Sequence, residues 1–288
     1  MRRLRYVRVL AAVFVLALVA GLAAACDDDD DNGNGDGNGG GETITIGIAN
    51  EAPYGFEEDG DATGEAPALA REILSRMGYD NVDFVVADFG ALIAGLNADR
   101  FDVIAAGMFI TPERAEEVLF TDPDYCAFQS FGVPEGNPDA ITDFASVADA
   151  GVTLGILTGA VEEDYALDAG VDAGQIDAYE TVPDLFDALE AGRIEALGLT
   201  SVTVEYNLQD VSGYESTEPF IPTIDGEEQQ GCGAFAFRSD DQDLRDEFND
   251  ILNEMKENDE ILPIVEEFGF TAAEIDAAKG VTVEDLAG

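Results

Sequence analysis

The sequence predicts an α/β fold built from two units of comparable size. Three observations carry that expectation. Strand-like and helix-like segments alternate from Thr43 onward, the alternation restarts at Val152, and a hydrophobic content of 46% over 288 residues is enough to fill packed cores. "TITIGIA" (43–49) alternates apolar and polar positions, is rich in β-branched residues, and stops at Asn50. "APALAREILSRMG" (66–78) is a helix: Pro67 suits its first turn, Leu69, Ile73 and Met77 recur on one face, and Gly78 suits its stop. "VDFVV" (82–86) is a strand, "FGALIAGLNADR" (89–100) a short helix and "FDVIAAG" (101–107) a strand.

In the second unit, "VTLGIL" (152–157) and "IEALGL" (194–199) are strands. "EEDYALDAG" is a helix ending at Gly170, and "VPDLFDALEAG" (182–192) is another. Between the units lie two apolar strands, Cys126–Val133 and Cys232–Phe237. The tail from Asp241 to Ala278 is helical, with Leu244, Phe248, Ile251, Leu252 and Met255 at helical spacing.

The segment before Thr43 is of another kind. "MRRLRYVR" is basic, Val9–Ala25 is an unbroken run of apolar or small residues, and "LAAAC" ends at Cys26. Residues 1–25 are therefore expected to be a secretory signal, with Cys26 the acylated first residue of a bacterial lipoprotein. Leu22 lies one place further from the cysteine than in most such signals. The alternative is an uncleaved anchor helix, for which seventeen residues is short. Both place the remainder outside the cytoplasm. Residues 26–42 then form the lipid-anchor cysteine and an acidic tether, since "DDDDDNGNGDGNGGGE" has no apolar residue to bury. As a flexible coil it would reach roughly 20–25 Å.

Charge excludes several functions. There are 62 acidic and 13 basic residues, no His, and two lysines, Lys256 and Lys279. Nothing here neutralises phosphates, so nucleic acid is excluded as a partner, and an acidic membrane surface is disfavoured. Dense surface acid with scarce lysine suits concentrated salt, where screening is short-ranged; the alternative is an acidic extracellular protein of a high-GC genome. The three cysteines are accounted for if Cys26 is acylated and Cys126 pairs with Cys232. Two free buried thiols are the alternative.

The segments "IANEAPYGF", "LAREILSRMG", "ADFGALIAGLNADRFDVIAAGMFITPERAEEVLFTDPDY", "LEAGRIEAL" and "GCGAFAFRSDDQDLRDEFND" together resemble the family 3 extracellular solute-binding proteins of ABC importers. The likeness runs from Thr43 to the end, and Thr111-Pro112-Glu113-Arg114 after the 101–107 strand is its most specific part. It implies a two-lobed periplasmic-binding-protein-like (type II) fold, with two crossover hinge strands and a cleft that closes on a small ligand. Residues 43–129 would form the first segment of lobe 1, 130–231 lobe 2, and 232–288 the return to lobe 1. The narrower likeness is to the sub-group that binds ectoine and hydroxyectoine. It implies a monomer that hands a small zwitterionic solute to an ABC permease, meets the membrane only through its lipid anchor, and needs no cofactor or metal.

Read from the residues alone, Arg114 is either a clamp for a carboxylate, matching both oxygens with its planar fork, or a partner for Glu113 or Glu117. The resemblance implies the clamp, with Thr111 and the Gly107 backbone beside it. Most amino-acid binders of the family carry Ser or Thr at the place of Phe109. An aromatic cannot donate that hydrogen bond but can face a delocalised cation. Tyr54 and Phe89 follow the first two strands, where α/β clefts bind ligands, and would complete an aromatic cage; core packing is the alternative for each. Glu51 would accept from ligand N–H groups, and Glu162 with the 158–160 backbone would be secondary contacts. The aspartate that grips an α-ammonium in many relatives is replaced by Leu199-Thr200, and a frequent threonine by Val161. That disfavours an ordinary α-amino acid, although a polar amino acid remains the alternative ligand. Of groups able to act as acid or base in the cleft only Glu51 and Glu162 stand out, so an enzyme such as a dehydratase is a remote alternative.

Overall fold

The computed structural model describes residues 43–209 and 211–288; the signal segment, Cys26 and the tether lie outside the described residues. The first segment runs through β1 (Thr43–Ile48), β2 (Phe56–Glu58), β3 (Asp61–Thr63), α1 (Glu65–Met77), β4 (Asn81–Val86), α2 (Leu92–Leu96), β5 (Val103–Phe109), α3 (Pro112–Ala115), β6 (Leu119–Phe120) and β7 (Tyr125–Ala127). The second runs through β8 (Gln129–Pro134), α4 (Phe144–Ala150), β9 (Leu154–Leu157), α5 (Glu162–Asp168), β10 (Ile176–Tyr179), α6 (Val182–Glu190), β11 (Ala196–Thr200), α7 (Ser201–Leu208), β12 (Tyr214–Ser216), β13 (Thr223–Ile224) and β14 (Glu227–Glu228). The return comprises β15 (Gly231–Phe237), α8 (Gln242–Glu257), α9 (Leu262–Val265), α10 (Ala272–Ala277) and α11 (Val283–Ala287).

Two sheets organise these elements into two lobes. In lobe 1 the order is β4-β1-β5-β15-β6, with β7 also on β15. β1 is parallel to β4 and β5, and β15 is antiparallel to its neighbours. In lobe 2 the order is β10-β9-β11-β8-β12, with β9 parallel to β10 and β11. Parallel strands leave their C-terminal ends on one edge, and in both lobes the loops from those ends face the cleft.

The elements follow from familiar forces. α1 buries Leu69, Ala70, Ile73 and Leu74, spaced to form one stripe, and stops at Gly78 in the left-handed region (φ 91°). α8 buries Phe248, Leu252 and Met255 on one face, and Phe248 packs against Phe235 and Phe237 of β15. α7 has no such stripe. Its first residues, Ser201 to Val204, are small or β-branched, and all four are buried. The turn starts because the Thr200 hydroxyl accepts from the Thr203 N–H. The apolar run Cys126–Val133 is two strands, not one. The chain leaves the first sheet after Ala127 and joins the second at Gln129, so Phe128 is where the lobes part. β15 is built into the lobe 1 sheet, between β5 and β6, and Cys232 sits opposite Cys126, joined to it by a disulfide. No described helix is long and apolar enough to cross a membrane.

The bridge closes a loop of 106 residues of sequence separation that includes the whole second lobe. Replacing both cysteines, Cys126→Ala with Cys232→Ala, is expected to lower unfolding free energy by about 2–4 kcal/mol. Urea denaturation at fixed salt measures this; an unchanged midpoint and slope would show that the bridge does not limit the unfolded chain.

Candidate functional site: the interlobe cleft

The cleft is built by short loops at strand ends. After β1, the Glu51 N–H donates to the Gly55 carbonyl and the Gly55 N–H to the Glu51 carbonyl, both at 2.9 Å, which closes the loop that presents Glu51 and Tyr54. Phe89 opens a single 3-10 turn after β4, and Phe109 is the last residue of β5. Gly107, at φ +63°, lets Tyr54 lie on the strand: a Cβ there would stand 2.5 Å from Tyr54 Cγ. These residues line one cavity with Gly107, Arg114, Leu157, Ala160, Val161, Glu162, Leu199 and Thr200. Its volume is about 30 Å3, well below that of an open ligand site, so the lobes stand nearly shut over it.

Thr111 is placed elsewhere. It is the N-cap of α3, its hydroxyl accepting from the Arg114 N–H at 3.2 Å, and it does not line this cavity. Its role is to start the turn that carries Arg114, with Pro112 at the first helical position. Arg114 then donates from Nη1 to the Phe109 carbonyl (2.8 Å) and from Nη2 to the Gly159 carbonyl of lobe 2 (2.9 Å), and its guanidinium carbon lies 5.5 Å from the Phe89 ring centre. Glu113 and Glu117 make no ion pair with it. At Gly159, with φ +78°, a Cβ would come within 2.9 Å of Gly90 Cα, so the backbones of the two lobes nearly touch beside this bond.

An aromatic cluster backs the cavity. Tyr54 stacks on Tyr125 at 5.1 Å between ring centres, Phe270 packs edge-on to both, and Phe109 tilts against Tyr125 at 6.3 Å. Tyr125 donates to the Gly107 carbonyl at 2.9 Å. Tyr125 and Phe270 were not singled out from sequence. Tyr125, next to Cys126 at a strand start, carried a usable signal; Phe270, far along the tail, carried none.

Charge is held out of water here. Burial pushes the Glu51 carboxyl up to about 8; repulsion from Glu162 adds to this, and a hydrogen bond from Thr203 works against it. Burial lifts Glu162 to about 7, opposed by its own backbone N–H, by Gln129 and by Arg114. Loss of hydration also holds Arg114 below the usual guanidinium value, and Glu162 pulls it back up. Two acids and one cation therefore share the cavity. Behind it, Glu65 and Asp124 are buried together. Burial first, then repulsion from Asp124, raises Glu65 well above the carboxylate range, so Glu65 keeps its proton beside Asp124.

Comparison with known proteins agrees with this geometry. Residues 44–271 match the model of the bacterial extracellular solute-binding proteins, family 3. A probable amino-acid ABC transporter periplasmic-binding protein of Sinorhizobium fredii is 34% identical over 247 residues, covering 84% of this chain and 82% of the relative. The arginine-binding extracellular protein ArtP of Bacillus subtilis is 26% identical over 217 residues, covering 74% and 80%. The crystal structure of EhuB in complex with hydroxyectoine superposes with a TM-score of 0.76 at 32% identity, over 85% of this chain and 94% of that one.

The two cleft acids set a pH dependence. In the unfolded chain Glu51 ionises near 4.5, whereas the folded cleft holds its proton to about pH 8. Its contribution to stability is thus complete below about pH 4.5 and is lost as pH rises toward 8. The melting temperature of the ligand-free protein is expected to fall from pH 5 to pH 8, and Glu51→Gln to make that fall shallower. Glu162, Glu65 and Asp124, all raised by burial, add to the slope in both proteins, so the difference is the readout. Identical slopes would contradict the assignment.

Proposed function

The chain belongs to the bacterial extracellular solute-binding proteins of family 3 and is the solute-binding component of an ABC importer; on that premise we propose that its lobes close on a small zwitterion with a charge-delocalised cation, of the ectoine and hydroxyectoine class. The observation that carries this reading is the cavity lining. Arg114 is its one cationic side chain, three aromatic rings stand beside it, and Glu51 and Glu162 supply negative charge. The ligand carboxylate would take the guanidinium fork now satisfied by two carbonyls. The cationic ring would lie among Tyr54, Phe89 and Phe109, each good contact contributing about 0.5–2 kcal/mol, with Glu51 at its edge. Closure excludes water and strengthens both contacts. The likeness to EhuB, solved with hydroxyectoine, supports the same class.

A polar amino acid is the second reading. The curated relatives at 34% and 26% identity are amino-acid binders by name. Against it stand Leu199 and Val161 in the lobe 2 wall, which offer nothing to an α-ammonium. The relatives are transport proteins and the cleft is read as a binding site, not a catalytic one. We also assign residues 43–129, 130–231 and 232–288 to the two lobes as above, Cys26 to a lipid anchor, the working form to a monomer, and the acidic surface to a salt-rich setting in which the solute serves as an osmoprotectant.

Calorimetric titration of the chain from Glu42 onward, refolded to remove carried-over ligand, tests the proposal in high salt. Ectoine, hydroxyectoine, glycine betaine, glutamate and glutamine form the panel. Micromolar or tighter binding (about −8 kcal/mol) to ectoine, hydroxyectoine or the betaine alone is expected. Arg114→Ala should remove about 2–5 kcal/mol of that affinity, and Phe109→Ser should weaken it through the cation. Tight binding of an amino acid with none of the other three would overturn the ligand class.

A further inference from the structure

One wall of the cleft is closed by hydroxyl groups. Tyr54 Oη donates to Thr200 Oγ1 at 3.0 Å, Thr200 Oγ1 donates to Thr203 Oγ1 at 3.0 Å, and Thr203 Oγ1 donates to Glu51 Oε1 at 3.1 Å. Each hydroxyl has one proton to give, and Glu51 Oε1 accepts both when the carboxyl is ionised and when its proton is on Oε2; Thr203 then donates to Oε1 and accepts from Thr200, and Thr200 accepts from Tyr54. All four residues are buried. Tyr54 and Glu51 lie in the loop after β1 of lobe 1, whereas Thr200 and Thr203 cap and open α7 of lobe 2, so two of the three bonds cross between lobes. One helical turn further, Asn207 Nδ2 donates to the Ala52 carbonyl at 2.8 Å. Positions 200, 203 and 207 fall on one face of α7, a polar side of a helix that also buries Val202, Val204 and Leu208.

We propose that Thr200 and Thr203 are positioning residues for solute recognition, forming with Tyr54 a hydroxyl relay that latches the lobes and orients Glu51 toward the cationic part of the ligand; this rests on reading the cleft as a solute site. Two consequences follow from counting donors and acceptors. Thr200 Oγ1 accepts from Tyr54 and from the Thr203 N–H (3.3 Å) and gives its one proton to Thr203. That exhausts a hydroxyl, so Thr200 has nothing left to offer a primary ammonium. Glu51, in contrast, spends only Oε1 on the relay and keeps Oε2 for the cavity it lines. The wall therefore rejects a ligand needing several acceptors for an α-ammonium and accepts one whose cation is spread over a ring and needs a single carboxylate edge. The relay also matters to the charge of Glu51. The Thr203 bond is the influence that favours its ionised form, against burial and against Glu162 on α5; Tyr54 faces it from its own loop, and Arg114 of α3 acts on Glu162.

Carbon-13 titration of the glutamate carboxyls in the ligand-free protein tests the relay, with Glu51 identified by the resonance that Glu51→Gln removes. The parent is expected to titrate near pH 8 at Glu51. Thr203→Val, which keeps the shape and deletes the hydroxyl, should move that midpoint up by about one unit, and Thr203→Ser should restore it. Binding of the tightest solute should weaken about tenfold in Thr203→Val and recover in Thr203→Ser. A Glu51 midpoint that is the same in the parent and in Thr203→Val would overturn the relay, as would failure of Thr203→Ser to restore a shifted one. The carboxyl readout needs no ligand, so it judges the relay whether or not any solute of the panel binds.

Discussion

Everything in the cleft turns on one guanidinium that reaches from lobe 1 to lobe 2 and whose hydrogen bonds go to carbonyl oxygens on both. Arg114 bonds the carbonyl of Phe109, at the end of its own strand, and that of Gly159, in the facing lobe. Carbonyls satisfy its donors without neutralising its charge. A cation so held is matched best by a carboxylate arriving with a ligand, and the same arrival replaces a bond that now ties the lobes directly. The backbone around it is shaped for that contact. Gly107 clears the way for Tyr54, and Gly159 and Gly90 let the two lobes approach where a Cβ would obstruct them.

The remaining charge of the cavity lining is two acids, Glu51 of lobe 1 and Glu162 of lobe 2, the latter close enough to act on Arg114. Glu51 and Glu162 are both buried, and each is held above the carboxylate range chiefly by loss of water. An incoming cation would relieve that cost and draw off any proton they hold. On the proposed reading a zwitterion would meet Arg114 with its carboxylate and the acids with its cation, beside the aromatic rings. Those rings do not stand alone: Tyr54, Tyr125, Phe270 and Phe109 support one another, so the face offered to a ligand is set by packing that reaches into the C-terminal segment.

Sequence reasoning reached some of this and missed some for definable reasons. β1, α1, β5 and α8 are legible because their burial is one-sided or central and leaves a period in the apolar residues. Arg114 and Phe109 are legible because a Thr-Pro turn after an apolar strand marks a strand-to-helix junction. α7 is hidden because its first four residues are all buried and mix Val202 and Val204 with Ser201 and Thr203, which leaves no apolar period. The division of Cys126–Val133 at Phe128 is hidden because both sheets bury that stretch and the apolar run shows no break. Thr111 is legible as a residue beside Arg114, but that its hydroxyl accepts from the Arg114 N–H as the N-cap of α3 is visible only in the structure. Thr203 and Asn207 stand three and seven residues after Thr200, a spacing that only becomes informative once α7 is known to be a helix.

A crystal structure of the chain from Glu42 onward with ectoine bound would test the central claim most directly. The account predicts the ligand carboxylate on both arms of the Arg114 guanidinium, the ring enclosed by Tyr54, Phe89 and Phe109, and a ring N–H on Glu51. A carboxylate placed away from Arg114, or a ring outside those three aromatics, would contradict it.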